Sequence, residues 1–228
     1  DTTLDIAATH IAGTNPRTVK IPISADEYLL LENRLRYTSP DSLPEGMVFS
    51  DSDSSGVLLS VDHYDAFIPG SGILIWRVNE TIIEENRLTN TINDDSYRRG
   101  FDLLEADGRQ DIGALFSFGD ARAEYGAGHE DDTYKAGGVT VCSHSTNPST
   151  DSMWGGASGI TVTVNSEPGE IMNVSVSFSG RLDGFPVHVG NQEYVTADDL
   201  DGDGVDEFMV SGNDTLCFVT NTGVRLYD

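Results

Sequence analysis

Short runs in which apolar and polar residues alternate recur along the whole chain, and the segment IMNVSVSF at 171–178 shows the pattern most regularly. A period of two places successive side chains on opposite faces of a strand, so one face is buried and the other is wet. The runs are rich in Val, Ile, Thr and aromatic residues and are separated by Gly, Asn, Asp and Ser clusters, while helical periodicity is weak. This combination predicts an all-β fold.

Thirteen segments have this strand character, and two acidic or Gly-rich stretches between them do not. The predicted strands are 17–23, 27–36, 56–62, 70–80, 100–106, 138–143, 159–166, 171–178, 185–189, 194–197, 207–212, 215–220 and 223–228. Loops are predicted at 38–55 and 117–137, and a short helix or turn is predicted within 81–93.

The spacing of the strands changes near SGRLDGFP at 179–186, which predicts a domain boundary. The strands of residues 1–180 fit a β-sandwich of the jelly-roll type. Residues 181–228 hold short, closely spaced strands with the period of one propeller blade. We therefore expect an all-β protein in which a sandwich domain is followed by a single propeller-type β blade.

The blade contains the most acidic stretch of the chain, VTADDLDGDGVDEFMVSG at 195–212. Its oxygen donors fall at alternate positions and would be the metal ligands: Asp199, Asp201, Asp203, the carbonyl of Val205, and Glu207. Calcium takes about six to eight oxygen ligands in a flexible geometry, and without a cation these carboxylates would repel one another. The sequence thus predicts a Ca²⁺ loop.

This loop differs from an EF-hand, which needs helices on both sides and a bidentate Glu at its twelfth position. The twelfth position here is Val210, and both flanks are strand-like. The stretch from DGFPVHV through NTGVRLYD resembles an FG-GAP-type repeat of integrin-like propellers and secreted bacterial proteins. That resemblance implies a structural calcium ion between the first two strands of a blade.

Residues 15–180 carry a second and longer resemblance. The motifs, in order, are EYLLLENRLR, YDAFIPGSGILIWRVNE, NRLTNTINDDSYRRGFDLLEADGRQDIG and STNPSTDSMWGGASGITVTVNSEPGEIMNVSVSF. They are similar to the region that follows the catalytic core in immune-inhibitor-A-like secreted metalloproteases. The resemblance implies a β-domain that supports a catalytic core.

The chain departs from that family where catalysis is concerned. HExxH, which places two zinc-binding His on one helix face, does not occur, and the five histidines have no ligand spacing. Where the family has a His after LIW, this chain has Arg77, and where the family then has an acidic residue, this chain has Asn79. No nucleophile elbow or phosphate loop occurs either. We therefore expect a non-catalytic chain.

Two further features have alternative interpretations. Glu105, Asp107 and Asp111 in EADGRQDIG could form a second calcium site or a simple turn cornered at Asp107-Gly108, and the turn is favoured. Trp76 and Trp154 could serve as a sugar platform or as core residues, and the core is favoured.

The charge balance, 38 acidic against 13 basic residues for a net charge of −25, repels nucleic acid and anionic membranes. It suits a secreted protein that binds divalent cations, and it equally fits a solubility or high-salt adaptation. No run of apolar residues is long enough for a membrane span. With the resemblances, this composition indicates a secreted, extracellular and prokaryotic protein. The chain opens with Asp1 inside a running pattern, which suggests a piece of a longer protein.

Three functions follow as hypotheses. The first is a non-catalytic, calcium-stabilised module of a secreted metalloprotease-like protein, with neighbouring domains as partners. The second is a structural or adhesive extracellular protein that self-associates through exposed β edges, as in filaments or surface layers. The third and weakest is a carbohydrate-binding sandwich.

Overall fold

A computed structural model of the chain describes most of the residues before 180 and the strands after it. The described residues are 1–37, 51–52, 54–55, 58–60, 65, 68–112, 128–179, 194–198, 207–212, 215–220 and 223–227. They are mostly β, with antiparallel pairing and one short helix, as the alternating sequence pattern predicts. The chain divides into two compact units, Asp1–Phe178 and Ser179–Asp228.

The first unit contains ten strands and a helix in its described part. They are β1 (Thr2–Ala7), β2 (Thr18–Pro22), β3 (Glu27–Arg34), β4 (Asp51–Ser52), β5 (Leu58–Ser60), β6 (Gly72–Asn79), α1 (Glu80–Asn86), β7 (Phe101–Leu103), β8 (Val141–Cys142), β9 (Ile160–Val164) and β10 (Ile171–Phe178). Two antiparallel four-stranded sheets result, in the orders β1-β10-β9-β8 and β2-β3-β6-β7, beside the short pair β4-β5.

Alternate residues of the central strands point into one hydrophobic core. Every second residue of β3 from Glu27 onward is buried, and β10 buries Met172, Val174 and Val176. Most buried apolar side chains of the two four-stranded sheets belong to a single cluster. Its largest members are Ile6, Leu29, Leu31, Ile73, Ile75, Leu104, Tyr134, Ile160 and Met172. Removing this apolar area from water is the main stabilising term of the unit.

Helix α1 overlaps the helical segment predicted within 81–93 but begins one residue earlier, at Glu80, directly after β6. Asn79 has extended backbone angles, and its side-chain Oδ1 accepts a hydrogen bond from the backbone N–H of Ile82 at 3.1 Å. This is the N-cap arrangement, which satisfies one of the free N–H groups of a first helical turn. Asn79 thus begins the helix.

Most predicted strands in the described residues are confirmed, and β10 has the predicted bounds. Strand β1 was missed, because its outer half is exposed and only Ile6 and Ala7 are buried at its end. The predicted strand at 138–143 is reduced to β8, and the predicted strand at 185–189 lies outside the described residues.

The second unit contains an antiparallel meander in which each strand is paired with its sequence neighbour. Its strands are β11 (Tyr194–Asp198), β12 (Glu207–Gly212), β13 (Thr215–Thr220) and β14 (Gly223–Tyr227), in the order β11-β12-β13-β14. The described helix α1, at seven residues, falls far short of the about 20 that cross a bilayer, and no other described helix is long and apolar enough.

Candidate metal centre

Four of the five predicted calcium ligands lie in the sequence between β11 and β12, and the fifth is the first residue of β12. Asp199, Asp201, Asp203 and Val205 lie outside the described residues. Glu207 is the first residue of β12, and its backbone is in register with Asp198, the last residue of β11.

The pairing of Asp198 with Glu207 shows which two strands the acidic segment connects. Strands β11 and β12 are antiparallel neighbours over five residue pairs, from Tyr194 opposite Ser211 to Asp198 opposite Glu207. Residues 199–206 therefore connect two adjacent strands, the position expected for the calcium loop of a blade. The donor set is fit for Ca²⁺, since it consists of carboxylate and carbonyl oxygens, which a hard cation prefers.

A second acidic cluster lies in the first unit and includes Asp132, which is distant in sequence from the predicted group of Glu105, Asp107 and Asp111. Glu105, Asp107 and Asp132 each have a carboxylate oxygen within 4.8 Å of the others. Ala106 donates its backbone N–H to the carbonyl of Asp132 at 3.0 Å, which brings the two segments together. Glu105 and Asp132 are buried, and Asp107 is half-buried.

Local backbone N–H groups satisfy the Glu105 carboxylate. Its Oε2 accepts from the N–H of Asp111 at 2.8 Å, and its Oε1 accepts from the N–H of Ile112 at 3.1 Å. Gly108 donates to the carbonyl of Glu105 at 3.0 Å, which closes a turn with Ala106 and Asp107 at its centre. The segment thus forms a turn, as favoured above, but its corner is Ala106-Asp107, one residue before the predicted Asp107-Gly108. Asp111 contributes a backbone N–H to the Glu105 carboxylate.

The other two carboxylates are held in the same way. Oδ1 of Asp107 accepts from the N–H of Arg109 at 2.9 Å, and Oδ2 lies 3.3 Å from the guanidinium of that arginine. Asp132 accepts from the N–H of His129 in a reciprocal capping box, which begins the 3₁₀ turn Glu130–Asp132.

Burial and mutual repulsion raise the pKa values of Glu105 and Asp132. Burial raises the pKa of Glu105 to about 7, and the charges of Asp132 and Asp111 add to the rise against the opposing effect of the two N–H donors. Burial also raises the pKa of Asp132, opposed by the His129 N–H.

Three carboxylate oxygens are about half of the six to eight that calcium takes. The hydrogen bonds inside the cluster account for its geometry, so we assign no ion to it. Within the described ranges it is the one group of His, Cys, Asp and Glu side chains close enough to hold a metal. The histidines there serve other contacts, and His144 Nδ1 lies 2.8 Å from Asp151 Oδ2.

The two tryptophans have different environments. Trp76 on β6 is half-buried, donates from Nε1 to Glu32 Oε1 at 2.9 Å, and packs against Phe101 with ring centroids 4.8 Å apart. Trp154 is 59% exposed, with the Arg98 guanidinium 4.9 Å from its ring centroid. The expectation that Trp154 serves the core is therefore wrong, because the Gly- and Ser-rich segment around it places the ring at the surface.

The chain matches no protein-family model, no curated protein and no solved structure. The resemblances to immune-inhibitor-A-like proteases and to FG-GAP repeats therefore rest on the motifs quoted above.

Proposed function

We propose that the chain is a non-catalytic, calcium-stabilised extracellular β module of a secreted metalloprotease-like protein, in which it supports a catalytic core or mediates binding. The first unit is a sandwich-type domain, and the second is one propeller-type blade. The observation that carries the proposal is the pairing of Asp198 with Glu207, which makes residues 199–206 the link between neighbouring antiparallel strands.

Calcium has a clear physical task in that link. The stretch from Asp198 to Glu207 contains six carboxylates, and their repulsion opposes the close approach that the β11–β12 register requires. Asp199, Asp201, Asp203, Val205 and Glu207 would hold the ion. A divalent cation neutralises part of this charge and stabilises the folded state by an amount that grows with the logarithm of its free concentration above the Kd.

A melting curve with and without chelator tests the calcium proposal. We expect EDTA to lower the melting temperature and added Ca²⁺ to restore it, and we expect Asp201→Ala with Asp203→Ala to abolish the response. The matched control is Glu85→Ala with Asp94→Ala, which removes two exposed carboxylates from the first unit. The proposal would be contradicted if EDTA left the melting temperature unchanged. It would also be contradicted if the control variant lost its response to EDTA as completely as the Asp201/Asp203 variant.

The alternative function is a structural or adhesive protein that self-associates through β edges. In the described meander, β11 and β14 each have one hydrogen-bonded neighbour, so each presents an edge to which another strand can add. Sedimentation at several protein concentrations, with and without Ca²⁺, separates the two functions. Calcium-dependent polymers favour the alternative, whereas a calcium-stabilised monomer favours the module.

A further inference from the structure

A polar cleft of about 480 Å³ opens in the first unit beside β6 and β7. Its lining includes Arg77, Arg99 and Asp102, together with Tyr97, Gln110 and Asn147. The volume is in the range of small-molecule sites, which run from about 300 to 1,000 Å³. Hydroxyl and amide groups dominate the rest of the wall, so the cleft suits a ligand with many hydrogen-bonding groups.

Two guanidinium groups in this cleft face a single carboxylate. Arg77 Nη2 donates to Asp102 Oδ2 at 2.9 Å, and Arg99 Nη1 donates to Asp102 Oδ1 at 3.3 Å. Arg77 Nη1 also reaches the carbonyl of Asp151 at 3.2 Å, while its buried Nε has no partner among the described residues. One positive charge is therefore left over, in a chain whose net charge is −25.

Aromatic rings stand exposed next to these arginines. Tyr97 lines the cleft and is 91% exposed, and it is followed in the chain by Arg98 and Arg99. Arg98 lies over the ring of Trp154, which is 59% exposed. The segment that carries Trp154 is tied to the cleft through the Arg77 contact with Asp151. Exposed aromatic faces offer an apolar surface beside the positive charge.

We propose that this cleft binds the carboxylate of an acidic sugar, a hexuronate unit in a short oligosaccharide. Arg99 and Arg77 pair with the sugar carboxylate, because a planar guanidinium matches a carboxylate in charge and geometry. Asn147 Oδ1 accepts from a ring hydroxyl, since its Nδ2 already donates to the carbonyl of Gly108 at 3.1 Å. The C–H face of the sugar lies against Tyr97 and Trp154.

The charge distribution selects among anionic ligands. A net charge of −25 repels densely charged polymers such as nucleic acids over long distances, whereas a short oligosaccharide with few carboxylates meets mainly the local positive charge. The exposed rings and the amide-rich wall favour a sugar over a peptide carboxylate, which needs no aromatic surface. This inference is independent of the proposed calcium loop.

Titration with uronic acid oligosaccharides tests the inference. Binding would be measured by calorimetry and by tryptophan fluorescence. The ligands would be tri-galacturonate, the neutral galactose trimer and a tripeptide with a free carboxyl terminus. We expect binding of the uronate alone, a change in Trp154 emission, and affinity at least about tenfold weaker in Arg99→Gln, since a charge-assisted hydrogen bond is lost. Trp154→Ala should weaken binding as well.

Matched variants keep the test decisive. Arg99 makes one long contact with Asp102, so Arg99→Gln should keep the wild-type melting temperature. Arg87→Gln removes an exposed arginine at the C-cap of α1 that does not line the cleft. Equal loss of affinity in Arg87→Gln and Arg99→Gln would overturn the proposal. So would absence of uronate binding, equal binding of the neutral trimer, or binding of the peptide in place of the sugar.

Discussion

The carboxylate of Glu27 holds the segment around Ser152 against strand β3. Its Oε2 accepts from the hydroxyl of Ser152 at 2.6 Å, across 125 positions of sequence, and its Oε1 accepts from the backbone N–H of Met153 at 2.7 Å. Glu27 is only 1% exposed. Because a buried carboxylate is costly without partners, these two bonds position the loop that leads to Trp154.

Loss of this anchor should be strongly destabilising. We expect Glu27→Ala to lower the free energy of unfolding by about 2–4 kcal/mol, because two half-buried donors lose their acceptor and a cavity forms at the buried Glu27 position. Glu27→Gln should cost about 1 kcal/mol, since one oxygen acceptor remains. Urea denaturation measures both, and Glu85→Ala, an exposed acid on α1, serves as the control with nearly no effect. An equal effect of Glu27→Ala and Glu85→Ala would show that the anchor contributes nothing.

The raised pKa of Glu105 should make stability fall as the pH rises. The pKa is 4.5 in the unfolded chain and about 7 in the folded protein, so the folded state binds more protons between these values. Its contribution to stability is full below pH 4.5 and is lost as the pH rises through about 7.

Urea unfolding in EDTA at pH 5 and at pH 7.5 checks this dependence. We expect Glu105→Gln to reduce the loss of stability between the two pH values by about 1–3 kcal/mol relative to the wild type. The raised pKa of Asp132 acts in the same direction. Identical pH dependence in the wild type and Glu105→Gln would refute the assignment.

Gly108 should tolerate no side chain. Its φ of +80° lies in the left-handed region, and an added Cβ would meet the carbonyl oxygen of Asn147 at 2.7 Å. Gly108→Ala is therefore expected to cost about 1–3 kcal/mol of unfolding free energy. Gly156→Ala is the control, because its Cβ would find Ser152 at 3.8 Å, an ordinary contact. Thermal melting of the two variants should separate them, and equal melting temperatures would count against the backbone description.

Cys142 should be unreactive in the folded protein. It carries a fully buried free thiol with Sγ 3.8 Å from the carbonyl of Pro148, and burial raises its pKa. Few thiolates form, so a thiol reagent should modify it more than about tenfold more slowly in the native state than in urea. The variant Cys217→Ser isolates the signal of Cys142. Native modification as fast as in urea would place this thiol at the surface.

Local patterns predicted much of the fold. The alternation in 171–178 became β10 with the same bounds, and α1 overlaps the predicted helical segment 81–93, beginning one residue before it. Strand β1 was missed because its alternation is short and its outer half is exposed. The Ca²⁺ loop stays a prediction, since four of its five ligands lie outside the described residues.

The sequence by itself determined which segments are strands, because side-chain alternation is a local property of the extended chain. The tertiary structure alone decided which strands are neighbours: Thr2 pairs with Val176, and no local signal specifies that register. It also decided that Asp132 joins Glu105 and that two arginines share Asp102 beside an exposed Trp154. These relationships connect distant segments, and they form only when burial of the common core brings the segments together.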